Sequence, residues 1–139
     1  MQEITAENFF SNYEKFVSEL LSDDSTNFEN YIQRLKDLND QGCDISRLDT
    51  AAQGMSAEAG EFEEIVKKIK YQSKSWNEDN IFHLKREMGD IIFYWIVGCL
   101  SLKIDPVEVV KMNVEKLESR YPSGSFDVLN SEVRKDGDV

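Results

Sequence analysis

The sequence predicts an all-α protein, a bundle of about five helices, and three observations carry that prediction. Apolar residues recur at steps of three and four through most of the chain, the spacing of a helix face. No segment shows the strict alternation of a half-buried strand, and the 139 residues include only two prolines. The run IIFYWIVGCLSL, residues 91–102, is apolar around nearly its whole circumference. Such a helix has to be covered on every side.

The elements follow in order. Phe9, Tyr13, Phe16, Val17 and Leu20 form the stripe of a first helix. Phe28, Tyr31, Ile32, Leu35 and Leu38 form the stripe of a second, and the intervening SDDSTN (22–27) supplies side chains that can cap it. NDQGCDIS (39–46) reads as a loop, and a third helix spans about 48–71. A polar loop, 72–80, carries Trp76 and leads to a fourth helix over about 81–102. Its twelve-residue apolar run is too short to cross a bilayer and suits a buried core helix. The fifth helix opens at KIDPVEVV, with Asp105 as N-cap and Pro106 as first helical residue, and ends near Tyr121-Pro122. Residues 122–139 are polar, contain SGS and DGD, and read as a C-terminal tail behind a single domain, 1–121.

Bulk composition narrows the function. Aromatic residues make up 11% and apolar residues 40%, which excludes a disordered chain. The formal net charge is −11. A groove for a nucleic-acid polymer needs clustered Lys and Arg, and so does an anionic membrane surface, so neither partner is expected. A small phosphorylated ligand remains open if metal ions bring it in. Cys43 and Cys99 are too few for a disulfide framework and read as reduced thiols of a cytosolic protein. The opening MQEITAENFF lacks the basic and apolar regions of a signal peptide.

Two stretches echo each other. AEAGEFEEIVKKI (57–69) contains Glu58-Ala59-Gly60-Glu61, and REMGDIIFYWIVG (86–98) contains Glu87-Met88-Gly89-Asp90. Residues three apart share a helix face, so each acid pair points one way. If the two helices are antiparallel neighbours, four carboxylates meet. They repel, and something must neutralise them. Oxygen-only ligands suit a hard divalent cation such as Mg²⁺ or Mn²⁺. His83, the one histidine, precedes Glu87 by four residues and forms no Glu-x-x-His pair, which argues against a di-iron site. A single such acid pair is ordinary solvated surface in most helical proteins. Two pairs, each with a glycine that costs about 1 kcal/mol relative to alanine in a helix, ask for a close approach of backbone or ligand.

Basic groups fall where phosphate contacts would need them. Lys68 lies seven residues beyond Glu61, two turns along the same face. Asn113, Lys116 and Arg120 share a face of the fifth helix. The bland reading of that stripe is a surface paired with Glu115 and Glu118. Tyr94, Trp76 and Trp95 read as core or interface residues rather than stacking platforms.

GMSAEAGEFEEIVKKIK, followed after a loop by LKREMGDIIFYWIVGCLSLKIDPVEVVKMNVEKLESRYPSGSF, resembles the MazG-like nucleoside triphosphate pyrophosphohydrolases of the all-α NTP pyrophosphatase superfamily. The resemblance covers about residues 48–126 and rests on E-x-x-E, a spacer of 25 residues, then E-x-x-D. It implies Mg²⁺-dependent hydrolysis of a nucleoside triphosphate to the monophosphate and pyrophosphate, with Mn²⁺ as a possible substitute. Carried over by position, Glu58, Glu61, Glu87 and Asp90 would ligate the metal, Glu61 would serve as catalytic base, and Lys68, Asn113, Lys116 and Arg120 would contact phosphates. It also implies a homodimer or homotetramer in which one subunit completes another's bundle. A narrower relative (a dUTPase, dCTPase or alarmone hydrolase) and a helical interaction module without catalysis are the alternatives; the four intact acids weigh against the second.

Overall fold

The computed structural model describes residues 6–133 and is all-α, with seven helices among the described residues. Two compact units divide the chain, residues 1–45 and 46–139.

The first unit holds α1 (Ala6–Leu20), α2 (Asp23–Thr26) and α3 (Phe28–Asp40). On α1 the rings of Phe9, Tyr13 and Phe16 form a stacked ladder with 6.4 Å between successive centroids. The expected cap of the following helix is Asn27, whose Oδ1 accepts from the N–H groups of Glu29 and Asn30 at 3.0 and 3.1 Å. The SDDSTN segment also carries α2, a single turn. At the far end of α3 the Cys43 N–H donates to the Leu38 carbonyl at 3.0 Å and the Gly42 N–H to that of Asn39 at 2.9 Å. That pair of bonds needs a left-handed residue at position 42, where φ is +86°. Glycine takes it without steric cost, which is why the helix stops there.

The second unit contains α4 (Ile45–Tyr71), α5 (Glu78–Leu102), α6 (Pro106–Arg120) and α7 (Val128–Glu132). Both long helices start earlier than expected. The α5 N-cap is Asn77, whose Oδ1 accepts from the Asn80 N–H at 3.0 Å. The buried Asn80 side chain donates in turn to the Ser75 carbonyl at 2.6 Å and ties down the preceding loop. Asp105 and Pro106 open α6 as expected, with Asp105 Oδ1 accepting from the Val107 N–H at 2.9 Å. A short helix, α7, lies within the segment read as a polar tail.

α4 and α5 run antiparallel in close contact. Ala51 is 1% exposed, and a Cβ placed on Gly98 would lie 3.6 Å from its methyl. One turn along α4, a Cβ on Gly54 would fall within the ring of Tyr94, one turn back along α5. Another turn brings Glu58 beside Glu87 and Asp90. Each step of three or four forward in α4 is matched by a like step backward in α5, the register of an antiparallel pair packed along one seam.

This seam covers one side of α5 only. Cys99 and Ser101 are buried, yet Ile92, Phe93, Leu100 and Leu102 are exposed. The apolar run expected to be a buried core helix is therefore open on its outer side within the second unit, because α4 shields a single face of it. Trp95 lines an apolar cavity of about 180 Å³ with Leu48, Met55 and Val109 among its walls.

Gly54→Ala is expected to destabilise by about 1–3 kcal/mol through overpacking, or several degrees in Tm for a chain of this size. Adding Tyr94→Leu should recover part of the loss. Thermal unfolding by circular dichroism checks both, and an unchanged Tm in Gly54→Ala would contradict the close approach.

Candidate active site

The seam sets the site. Ala51 and Gly54 on α4 are small, so the helices stay close for two turns, and the next two seam positions are Glu58 and Glu61. Opposite them on α5 are Glu87 and Asp90. Carboxylate oxygens of Glu58, Glu61 and Glu87 all lie within 4.8 Å of one another, with Glu58 and Glu87 half-buried and Glu61 exposed. Asp90 is near enough to act on Glu58 electrostatically.

Partial burial raises the pKa of Glu58 above the ordinary carboxylate value. The charges of Glu61, Asp90 and Glu87 raise it further, as does a hydrogen bond with Glu87. A bond between two carboxyl groups needs a proton on one of them. The cluster therefore acts as a sink for positive charge, and a proton is the smallest charge that can enter it. A divalent cation answers the same need better. The donor set is oxygen only, and the oxygens are close enough to share one ion, which suits a hard cation. His83 takes no part; its Nε2 faces Asp79 at 3.7 Å.

Lys68 Nζ is engaged with Glu64 at 3.1 Å and holds the Glu64 carboxyl below its usual range. Asn113, Lys116 and Arg120 are on α6.

The glycines divide. At Gly60 and Gly89 a Cβ would meet nothing within 4 Å, so no neighbouring protein atom accounts for them. Of the two explanations, backbone or ligand approach, the close backbone approach occurs instead at Gly54. The signal was available: Ala51, Gly54, Glu58 and Glu61 recur at steps of three and four, two small residues leading into two acids on one face.

A family model described as the MazG nucleotide pyrophosphohydrolase domain matches residues 48–125, more than half the chain. The chain belongs to the MazG family. Comparison with curated proteins and with solved structures returns no match. The MazG match spans α4 from its second turn, all of α5 and all of α6, so both acid pairs lie inside it. The domain is that of a nucleotide pyrophosphohydrolase, a hydrolase acting on a nucleotide. MazG proteins are typically metal-dependent, and the acidic cluster suits that requirement. No described helix is long and apolar enough to cross a membrane.

Proposed function

We propose that the protein is a Mg²⁺-dependent nucleoside triphosphate pyrophosphohydrolase, and that Glu58, Glu61, Glu87 and Asp90 hold the metal. The observation that carries this reading is the convergence of Glu58, Glu61 and Glu87 oxygens within 4.8 Å across the α4–α5 seam of a MazG domain. Bound there, the ion supplies charge neutralisation for the triphosphate, polarisation of the attacked phosphorus and a bound water of lowered pKa. The chain's own groups do the rest. Glu61, the exposed member, can orient the attacking water and accept its proton. The water oxygen bonds to the α-phosphorus, the α–β bridging bond breaks, and pyrophosphate departs with the electron pair. Lys68 can release Glu64 and turn to phosphate oxygens, and Asn113, Lys116 and Arg120 are the further candidates for that role. The products are a nucleoside monophosphate and pyrophosphate, in a reducing cytosol that accords with the free thiols of Cys43 and Cys99.

The test is product analysis by ion exchange with Mg²⁺ and a nucleoside triphosphate. Wild type should release pyrophosphate, and Glu61→Gln should lose turnover with its helical circular dichroism intact. Its metal-free Tm should equal or exceed that of wild type, since one repulsive charge is gone. Orthophosphate as first product, or near-normal turnover in Glu61→Gln, would overturn the assignment.

We also propose a homodimer or homotetramer. Met88, Ile92, Phe93 and Leu100 on α5 and Val110 and Met112 on α6 are all more than half exposed. Apolar area on this scale marks an interface. Light scattering coupled to size exclusion at low micromolar concentration should show a multiple of 16.1 kDa. A monomer that still hydrolyses nucleotides would refute the proposal.

A further inference from the structure

One flank of α4 is laid out by polarity. Thr50, Gln53, Ala57, Glu61, Glu64 and Lys68 recur at three- and four-residue steps and so lie along one line. Glu61 of the acid cluster is in the middle and the cation Lys68 at the C-terminal end. At the N-terminal end a cavity of about 350 Å³ opens, lined by Asp49, Thr50, Gln53, Gly54, Ala57, Glu58 and Tyr94. It shares Glu58 with the acid cluster, so whatever fills it touches the proposed metal site. Its volume is at the lower end of small-molecule sites, roughly 300–1,000 Å³.

The lining has a definite chemistry. Gln53 Nε2 donates to Asp49 Oδ1 at 2.9 Å. That bond favours one orientation of the exposed amide and leaves its second N–H and its carbonyl oxygen for a ligand. Thr50 contributes no free donor, because its hydroxyl donates to the Ser46 carbonyl at 2.8 Å. The Tyr94 ring is held against the Gly54 backbone and forms a rigid aromatic wall. Ala57, with its short side chain, leaves the passage from Gln53 to Glu61 open. A donor–acceptor pair beside an aromatic wall fits a planar heterocycle with a polar edge. A polyphosphate alone would gain nothing from either.

We propose that this cavity receives the nucleoside end of the substrate, with Gln53 reading the edge of the base, while the triphosphate runs over the acid cluster towards Lys68. This rests on the reading of the acid cluster as the metal–triphosphate site. It makes Gln53 the specificity-determining residue and Asp49 the residue that positions it. The pyrophosphate leaving group then departs at the Lys68 end.

The test is calorimetric titration in Mg²⁺ with non-hydrolysable α,β-imido triphosphates of the four common bases, and with inorganic tripolyphosphate as a ligand without a nucleoside. In wild type at least one nucleotide should bind about tenfold tighter than tripolyphosphate. Gln53→Ala should shrink the spread among bases by about tenfold, the value of one or two hydrogen bonds, and leave tripolyphosphate within about twofold. Ala57→Leu, which fills the cavity and suits a helix, should weaken every nucleotide and spare tripolyphosphate. If Gln53→Ala keeps the base preference, or if both variants lower tripolyphosphate as much as nucleotide, the cavity is not the nucleoside site, and the acid cluster stands unaffected. If tripolyphosphate itself fails to bind wild type in Mg²⁺, the underlying reading of the acid cluster fails, and this inference fails with it.

Discussion

The close antiparallel approach of α4 and α5 is the constraint on which the rest of the second unit depends. Where Gly54 meets the Tyr94 ring, no side chain separates backbone from aromatic face, and Ala51 opposite Gly98 keeps the spacing for a second turn. The approach does two things together. It fixes the register, because the glycine and the ring leave no room for a slip. It also sets the distance at which the next seam residues meet, and those residues are acids. A wider crossing would let the carboxylates relax into solvent as ordinary surface charges.

Held at that distance the acids repel one another. Glu58 is pushed towards its protonated form by partial burial first and by its three acidic neighbours second. Like charges this close disfavour the cation-free state, so a cation bound there would draw part of its affinity from the fold. The helices that carry the acids are long, and α5 is capped at both ends. α5 starts from the Asn77 cap and ends with Lys103 in a left-handed conformation, its N–H returning to the Leu100 carbonyl at 3.2 Å. Rigid elements of that kind can carry a site at fixed geometry, whereas loops would let the acids part.

Much of this was legible in the residues. Helical spacing identified all four long segments that follow the α1 stripe, and the Asp105-Pro106 start of α6 could be placed to the residue because cap chemistry is local. The acid pairs were legible because three-residue spacing fixes their face whatever the packing. The partner of each face was not, since that depends on register between helices. Gly54 shows why. A glycine in a helix reads as a cost, and only the ring of a residue forty positions away explains it. The glycines between the acids drew attention for the same reason and have no protein neighbour. The outer face of α5 depends on a partner in the same way. Its apolar run reads as a helix that must be covered on every side, and the second unit by itself leaves Ile92, Phe93 and Leu100 exposed.

If the seam gathers acids from both helices around one divalent ion, the ion must lie between them. Anomalous diffraction from crystals grown with Mn²⁺ tests it most directly. The expected result is a peak between α4 and α5, with oxygens of Glu58, Glu61 and Glu87 at about 2 Å. A peak held by other residues, or Glu58 and Glu87 too far apart to share an ion at saturating Mn²⁺, would contradict it.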